Sequence, residues 1–363
     1  MSDELRDRIY GCLVGGAIGD ALGAPLENWT YTQIREEYGK LESFQPYSNP
    51  HAEGTPGSVT DDTVMSHYLS LAIVEHGGRI TPDEFAETLL TYLNTDRVWV
   101  TEEITIQKLA AGMNPWDAGR HNIPTGTSTM AIAPIGIINA ADPRQAYQDG
   151  FNIASVNQDG VDRDAAATVA AGVAAGFKPD ATVADVLAAM QTHASDTIFR
   201  SIDLALGLAD RSDSVDEFTE AFYDELLDWR WPAVSWDREL YYEGEIFSAS
   251  SIESLPAIVG ILASCGDDPE RAVIEAANFG RDCDTIGSVV GNVVGAVYGS
   301  KPFRDEWITQ CSRVNREFFE EVRGDPDDDF ESVSTQLADA LESERDAAAE
   351  RRRTLDELLV DAG

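Results

Sequence analysis

Lysine is almost missing: the 363 residues hold four, Lys40, Lys108, Lys178 and Lys301. The only run of consecutive basic residues is Arg351-Arg352-Arg353, and a surface that displaces counterions from nucleic-acid phosphates needs a broader basic stripe. Nucleic acid is excluded as a partner on this ground, and an anionic membrane would repel the chain. Cysteine is sparse as well. Cys12, Cys265, Cys283 and Cys311 form no CxxC pair, which argues against a zinc ribbon and against a disulfide framework. No apolar run reads as a membrane span, and charged residues (Asp3, Glu4, Arg6, Asp7) stand where a signal peptide carries its apolar segment. These absences together predict a cytoplasmic protein with no membrane partner.

Acid is what the chain has instead. Asp and Glu number 65 against 26 Lys and Arg, for a formal charge of −39. With 43% hydrophobic residues the chain still has material for a large core, so the acids belong to the surface of a folded protein rather than to a disordered chain. Carboxylates hold water and cations, and at molar salt the Debye length shrinks to about 3 Å, which screens their mutual repulsion. The composition therefore predicts a halophilic protein, adapted to concentrated salt, before it predicts any function.

Helical periodicity runs through most of the chain and strand alternation is scarce, so the fold class is all-α. Helices are predicted over 5–23, 62–77, 82–94, 128–139, 143–156, 163–177, 181–193, 196–210, 214–228, 251–264, 269–279, 285–299 and 303–322. They make one compact domain, 1–323. The stretch Gly324-Asp325-Pro326-Asp327-Asp328-Asp329 breaks off an acidic helical extension, 324–363, whose helix at 331–360 carries Leu337, Leu341, Leu355, Leu358 and Leu359 for docking on the body or on a second subunit. The oligomeric state is not fixed by these features. Glycine recurs every four residues at Gly11, Gly15, Gly19 and Gly23 and again at Gly287, Gly291, Gly295 and Gly299. Each helix-interior glycine costs about 1 kcal/mol relative to alanine, so both ridges must be offset by close backbone approach.

Three junctions join carboxylates to hydroxyls at helix ends: Gly19-Asp20 through Glu27, Ser58-Val59-Thr60-Asp61-Asp62-Thr63, and Gly280-Arg281-Asp282-Cys283-Asp284-Thr285. An Asp-Asp pair means nothing by itself in so acidic a chain, and acids at helix N-termini are favoured by capping and by the helix dipole. Context separates these from the background. Thr60 to Thr63 runs straight into the apolar Val64, Met65, Leu69 and Leu71, and Asp282 to Thr285 runs into the second glycine helix, so the acids point inward. Buried carboxylates need cations. Four aspartates and two threonine hydroxyls make an all-oxygen donor set, which suits Mg²⁺, Mn²⁺ or Ca²⁺ where zinc would want His or Cys. Acids from both ends of the chain suggest two ions sharing a cleft, while Cys283 is read as facing the packed helix.

At these residues the sequence resembles the ADP-ribosylglycohydrolase family, which includes the dinitrogenase reductase-activating glycohydrolases. The resemblance rests on Gly15 through Glu27, on Thr60-Asp61-Asp62-Thr63, on Thr129-Met130-Ala131-Ile132-Ala133-Pro134-Ile135-Gly136 and on Gly280 through Gly291, in that order. It implies an all-α orthogonal helical bundle with a dimetal cleft holding two Mg²⁺ (or Mn²⁺). Thr60, Asp61, Asp62, Asp282, Asp284 and Thr285 carry over as ligands. The implied reaction is hydrolysis of the glycosidic bond at C1 of a terminal ribose, on an ADP-ribosylated protein or a small-molecule riboside. Asp61 and Asp284 are its catalytic candidates together with Glu27, which is read as general acid/base or as the residue that closes the cleft.

The chain departs from the family where the substrate would lie. Ala131 stands where many members carry Arg, Ser155 through Gly160 where many carry a His, and Arg281 where Gly is usual. Gly126, Thr127 and Ser128 are candidate phosphate donors at a helix N-terminus, with a plain N-cap as the other reading. Asn157 and Asp159 either line the cleft or cap a helix. The aromatic stretch from Trp229 to Trp236, with Tyr241 and Tyr242, either stacks a base or ribose or anchors a long connection. Competing functions are hydrolysis of free nucleoside-like or phosphorylated ribosides, a phosphohydrolase on the same ions, and a non-catalytic member resembling the lens crystallins of the family. Retention of the four aspartates argues against the last of these.

Overall fold

The N-terminal helix, Asp3–Gly23, and the late helix Cys283–Tyr298 run antiparallel through the centre of the molecule, buried from Gly11 onward in the first and at every residue but Tyr298 in the second. The computed structural model describes residues 2–48, 53–226 and 249–360. Gly19 lies against the Gly287 carbonyl, Gly15 against Gly291 and Gly11 against Gly295, so close that a Cβ at any of them would overlap the opposing backbone. The two glycine ridges thus offset each other's conformational cost through one contact. Neither helix has the amphipathic stripe of a surface helix, because both are enclosed on all sides. The N-terminal helix corrects one expectation: Asp3–Leu26 is long and apolar enough to cross a membrane by length and composition, yet 89% of its apolar window is buried in the bundle, as in the core helix of a soluble fold.

Around this pair pack the helices Asp61–His76, Gly160–Gly176, Ser251–Cys265 and Pro269–Asn278, and the others form the outer shell. Local signals set their starts. Thr30 with Gln33, Thr81 with Glu84 and Thr182 with Asp185 form capping boxes, and Pro82, Pro143 and Pro269 occupy first turns, where a missing N–H costs nothing. The helix predicted over 128–139 is two, Thr127–Ala131 and Ala133–Ile138, because Pro134 cannot donate back across the joint. Two further helices, Tyr31–Tyr38 and Val100–Ala110, fall where none is predicted, and Tyr47–Ser48 pairs with Glu53–Gly54 in a short antiparallel ladder. The last helix, Phe330–Val360, seats Phe330, Val333, Leu337 and Ala338 in the main core. The aromatic stretch 229–236 and Tyr241 and Tyr242 lie outside the described residues.

Candidate active site

The glycine contact fixes the site because each of the two central helices ends at it. From Gly23 the chain turns through Ala24–Leu26 to Glu27, and from the other side Gly280 to Asp282 leads into Cys283–Tyr298. The two segments are stitched together: Asn28 N–H donates to the Arg281 carbonyl at 2.8 Å and Arg281 N–H to the Trp29 carbonyl at 2.6 Å. Glu27 is thereby carried beside Asp282. Cys283 is fully buried against Leu26, Ile34 and Leu41, facing the packed side as read from the sequence.

The third segment is held by Asp20. Its carboxylate accepts from Thr60 N–H at 3.0 Å, Thr63 N–H at 3.2 Å and Thr63 Oγ1 at 2.6 Å. The N-terminal turn of Asp61–His76 is therefore capped from within by the N-terminal helix. Burial raises Asp20 to about 7, even though these donors pull it down.

A cavity of about 390 Å³ opens over this junction. It is lined by Glu27, Thr60, Asp61, Asp62, Asp282, Asp284 and Thr285 on one side, with Gly126, Thr127, Arg97, Trp99, Asn315 and Phe318 among the residues around it. Asp62, Asp282 and Asp284 are buried, and burial followed by the neighbouring carboxylates pushes each well above the usual range. Asp62 Oδ1 and Asp282 Oδ2 are buried without any hydrogen-bond partner. An acceptor left bare in this way costs about 1–3 kcal/mol, so the arrangement asks for a cation. Among the described residues no group of three or more His, Cys, Asp or Glu already stands close enough to hold a metal ion. The donors converge on the cavity without forming a closed shell, and their chemistry, oxygen only, suits a hard divalent cation.

The other predicted residues are divided. Gly126 and Thr127 line the cavity, but the Gly126 N–H is spent on the Ala249 carbonyl and Thr127 Oγ1 pairs with Thr125 Oγ1 at 2.8 Å. Ser128 is buried, with its hydroxyl 3.4 Å from the Ala154 carbonyl. Asn157 and Asp159 do not line this cavity: Asp159 is exposed and caps the Gly160 N–H at 2.8 Å, and Asn157 is buried, its backbone carbonyl accepting from Asn122 and its Oδ1 without a hydrogen-bond partner. Arg281 adopts φ 64°, the left-handed region that explains why glycine is usual there. Its guanidinium is buried and donates to Glu253 at 3.0 Å.

Glu102, on the unpredicted helix Val100–Ala110, is a residue that the sequence did not single out. It is fully buried, and burial with the nearby Asp61 raises it to about 8 against the pull of donors that include Thr127.

Comparison with known proteins settles the ancestry of this arrangement. Residues 1–350 match the ADP-ribosylglycohydrolase family. The chain belongs to that family. Among its relatives, the Escherichia coli K12 protein YegU, itself uncharacterized, is 25% identical over 333 residues, covering 85% of this chain and 93% of that one. An uncharacterized Archaeoglobus fulgidus protein is 27% identical over 325 residues, 88% of this chain and 95% of its own. The ADP-ribosyl-[dinitrogen reductase] glycohydrolase of Rhodospirillum rubrum is 35% identical over 74 residues, 20% of this chain and 24% of that one. A solved structure described as an ADP-ribosylglycohydrolase-related protein complex superposes with a TM-score of 0.62 over 93% of this chain and 98% of that one. At 20% identity that likeness carries the all-α ADP-ribosylglycohydrolase fold and nothing finer.

Proposed function

We propose that this family member is a divalent-metal-dependent hydrolase that cleaves the bond at C1 of a terminal ribose and releases ADP-ribose from a modified protein side chain or small molecule. The observation that carries the reading is the convergence of six oxygen donors from both ends of the chain on one cavity, with Asp62 Oδ1 and Asp282 Oδ2 bare. Thr60, Asp61, Asp62, Asp282, Asp284 and Thr285 would hold two Mg²⁺ or Mn²⁺ ions. When bound, such ions supply positive charge that orients ribose hydroxyls and makes a water more acidic.

The chain's own residues do the rest. Asp20 keeps the Thr60–Thr63 turn in register with the opposite wall, and the buried walls keep bulk water from the donors. Glu27, half-buried at the rim beside Asp282, is placed to hand a proton to the departing oxygen or nitrogen while water adds its hydroxyl to C1 and its remaining proton returns to the Glu27 carboxylate. The formal charge of −39, carried mostly by surface acids, supports the further reading that all of this happens in concentrated salt.

The test is direct. In molar salt with Mg²⁺ or Mn²⁺, the purified protein is expected to release free ADP-ribose from a mono-ADP-ribosylated protein, and chelation to stop it. Release of phosphate or AMP in place of ADP-ribose would overturn the glycosidic reading. Because Asp20 acts through the turn that it holds, Asp20→Ala should weaken divalent-ion binding by about tenfold or more in calorimetric titration. It should also cost about 3 kcal/mol in denaturant unfolding, since it leaves buried N–H groups unpaired. Unchanged ion affinity in a folded Asp20→Ala protein would remove Asp20 from the site.

A further inference from the structure

The helix Phe330–Val360 leads two lives. Its first part is core, with Phe330, Val333, Leu337 and Ala338 buried, but every residue from Arg345 to Leu359 is exposed. Fifteen helical residues span about 22 Å, and a helix of that length standing alone in water is marginal. The match to the family ends at residue 350, just before the chain's only run of consecutive basic residues.

That exposed segment has one apolar face. Leu355, Leu358 and Leu359 are 48%, 66% and 73% exposed and, at i, i+3 and i+4, they project together. Ala347, Ala348 and Ala349 lie two turns earlier and present almost no bulk to an approaching helix. The charges are ordered too: Arg351, Arg352 and Arg353 precede Leu355, and Asp356 and Glu357 follow it.

We propose that this face binds a second copy of the chain, as an antiparallel helix pair about a two-fold axis close to Leu355. In that register Arg352 of each helix stands beside Asp356 of the other on the flank of the leucine face, and Leu359 packs over Ala348. One set of residues satisfies itself twice, which is what a two-fold interface requires. A parallel pair would set arginine against arginine and acid against acid, and like charges facing each other are unfavourable. Docking on the acidic body of another molecule would satisfy the arginines but would leave Asp356 and Glu357 opposed by like charge. Self-pairing satisfies both signs.

Sedimentation of the full chain in high salt tests the proposal. The mass is expected near twice 39.5 kDa at high concentration and to fall to one chain for Leu355→Glu/Leu359→Glu. These positions are exposed, so circular dichroism should show an unchanged fold. Orientation is tested by charge. Arg352→Glu should dissociate the dimer, and adding Asp356→Arg in the same chain should restore it. A single-chain mass at every concentration, a dimer indifferent to the leucine changes, or a charge swap that fails to restore association would each overturn the proposal.

Discussion

Asp284→Asn is expected to lower kcat/KM for ADP-ribose release by at least about 10³-fold while making the metal-free protein more stable. The two effects have one cause. Asp284 is a buried acid whose neighbours include Asp282, Asp20 and Asp61, and its ionised form is disfavoured by burial and then by that crowd. Asparagine keeps the shape and can still accept from the Thr285 N–H, 3.0 Å away, but it carries no charge to repel or to bind a cation. Removing that burden should make the metal-free protein harder to unfold in chelator, at a pH where the native carboxyl would otherwise have to ionise. In saturating Mn²⁺ the order should invert, with the wild-type chain the more stable. A variant that loses activity and also loses stability in chelator would show Asp284 to be a packing residue instead.

The second large effect is the dependence of stability on pH. Asp162 is raised to about 6, Asp20 to about 7 and Glu102 to about 8, in each case chiefly by burial, whereas in the unfolded chain all three titrate near 4. Folded pKa values above unfolded ones mean that the native state binds more protons between these limits. Stability from these groups is therefore fully present below about pH 4 and is lost as pH rises through about 6 to 8, by about 1.4 kcal/mol per pH unit for each group within its window. Surface acids finish titrating below that window and are screened in high salt, so the slope belongs to the buried set. Bound divalent cation should add a slope of the opposite sign, because Asp61, Asp62, Asp282 and Asp284 would have to be deprotonated to coordinate it. Denaturant unfolding from pH 5 to 8, with chelator and with Mn²⁺, measures both arms. A flat profile in chelator would mean that the buried acids are neutralised by some other means.

Much of the fold was legible because helices announce themselves by period and cap, and the glycine ridges could be read as a backbone contact from their cost alone. Cavity residues at 60–62 and 282–285 were legible because acids ran directly into apolar helix. Asp20 was harder to place. It sits inside an apolar glycine helix, and nothing local reveals that its carboxylate closes a turn forty residues away. Glu102 was invisible, since its helix was not predicted and Asp61 and Thr127, which act on its carboxyl, arrive from elsewhere in the chain. Asn157 and Asp159 show the reverse error: polar residues before an alanine-rich helix look available, but one is spent on a cap and the other is enclosed.

The seam between the first and the late helix also sets an order of events during synthesis. Residues 3–23 emerge from the ribosome well before their partner at 283–298, with about 260 residues made in between. Until then the longest apolar helix of the protein has nothing to close against, and such exposed surface is what chaperones hold and aggregation captures. Contacts of this sequence separation also form slowly, since the loop entropy must be met before they are gained. The oxygen donors of the cavity come together only when that seam closes, so under the proposed function ions would enter a finished fold and would not template an early one.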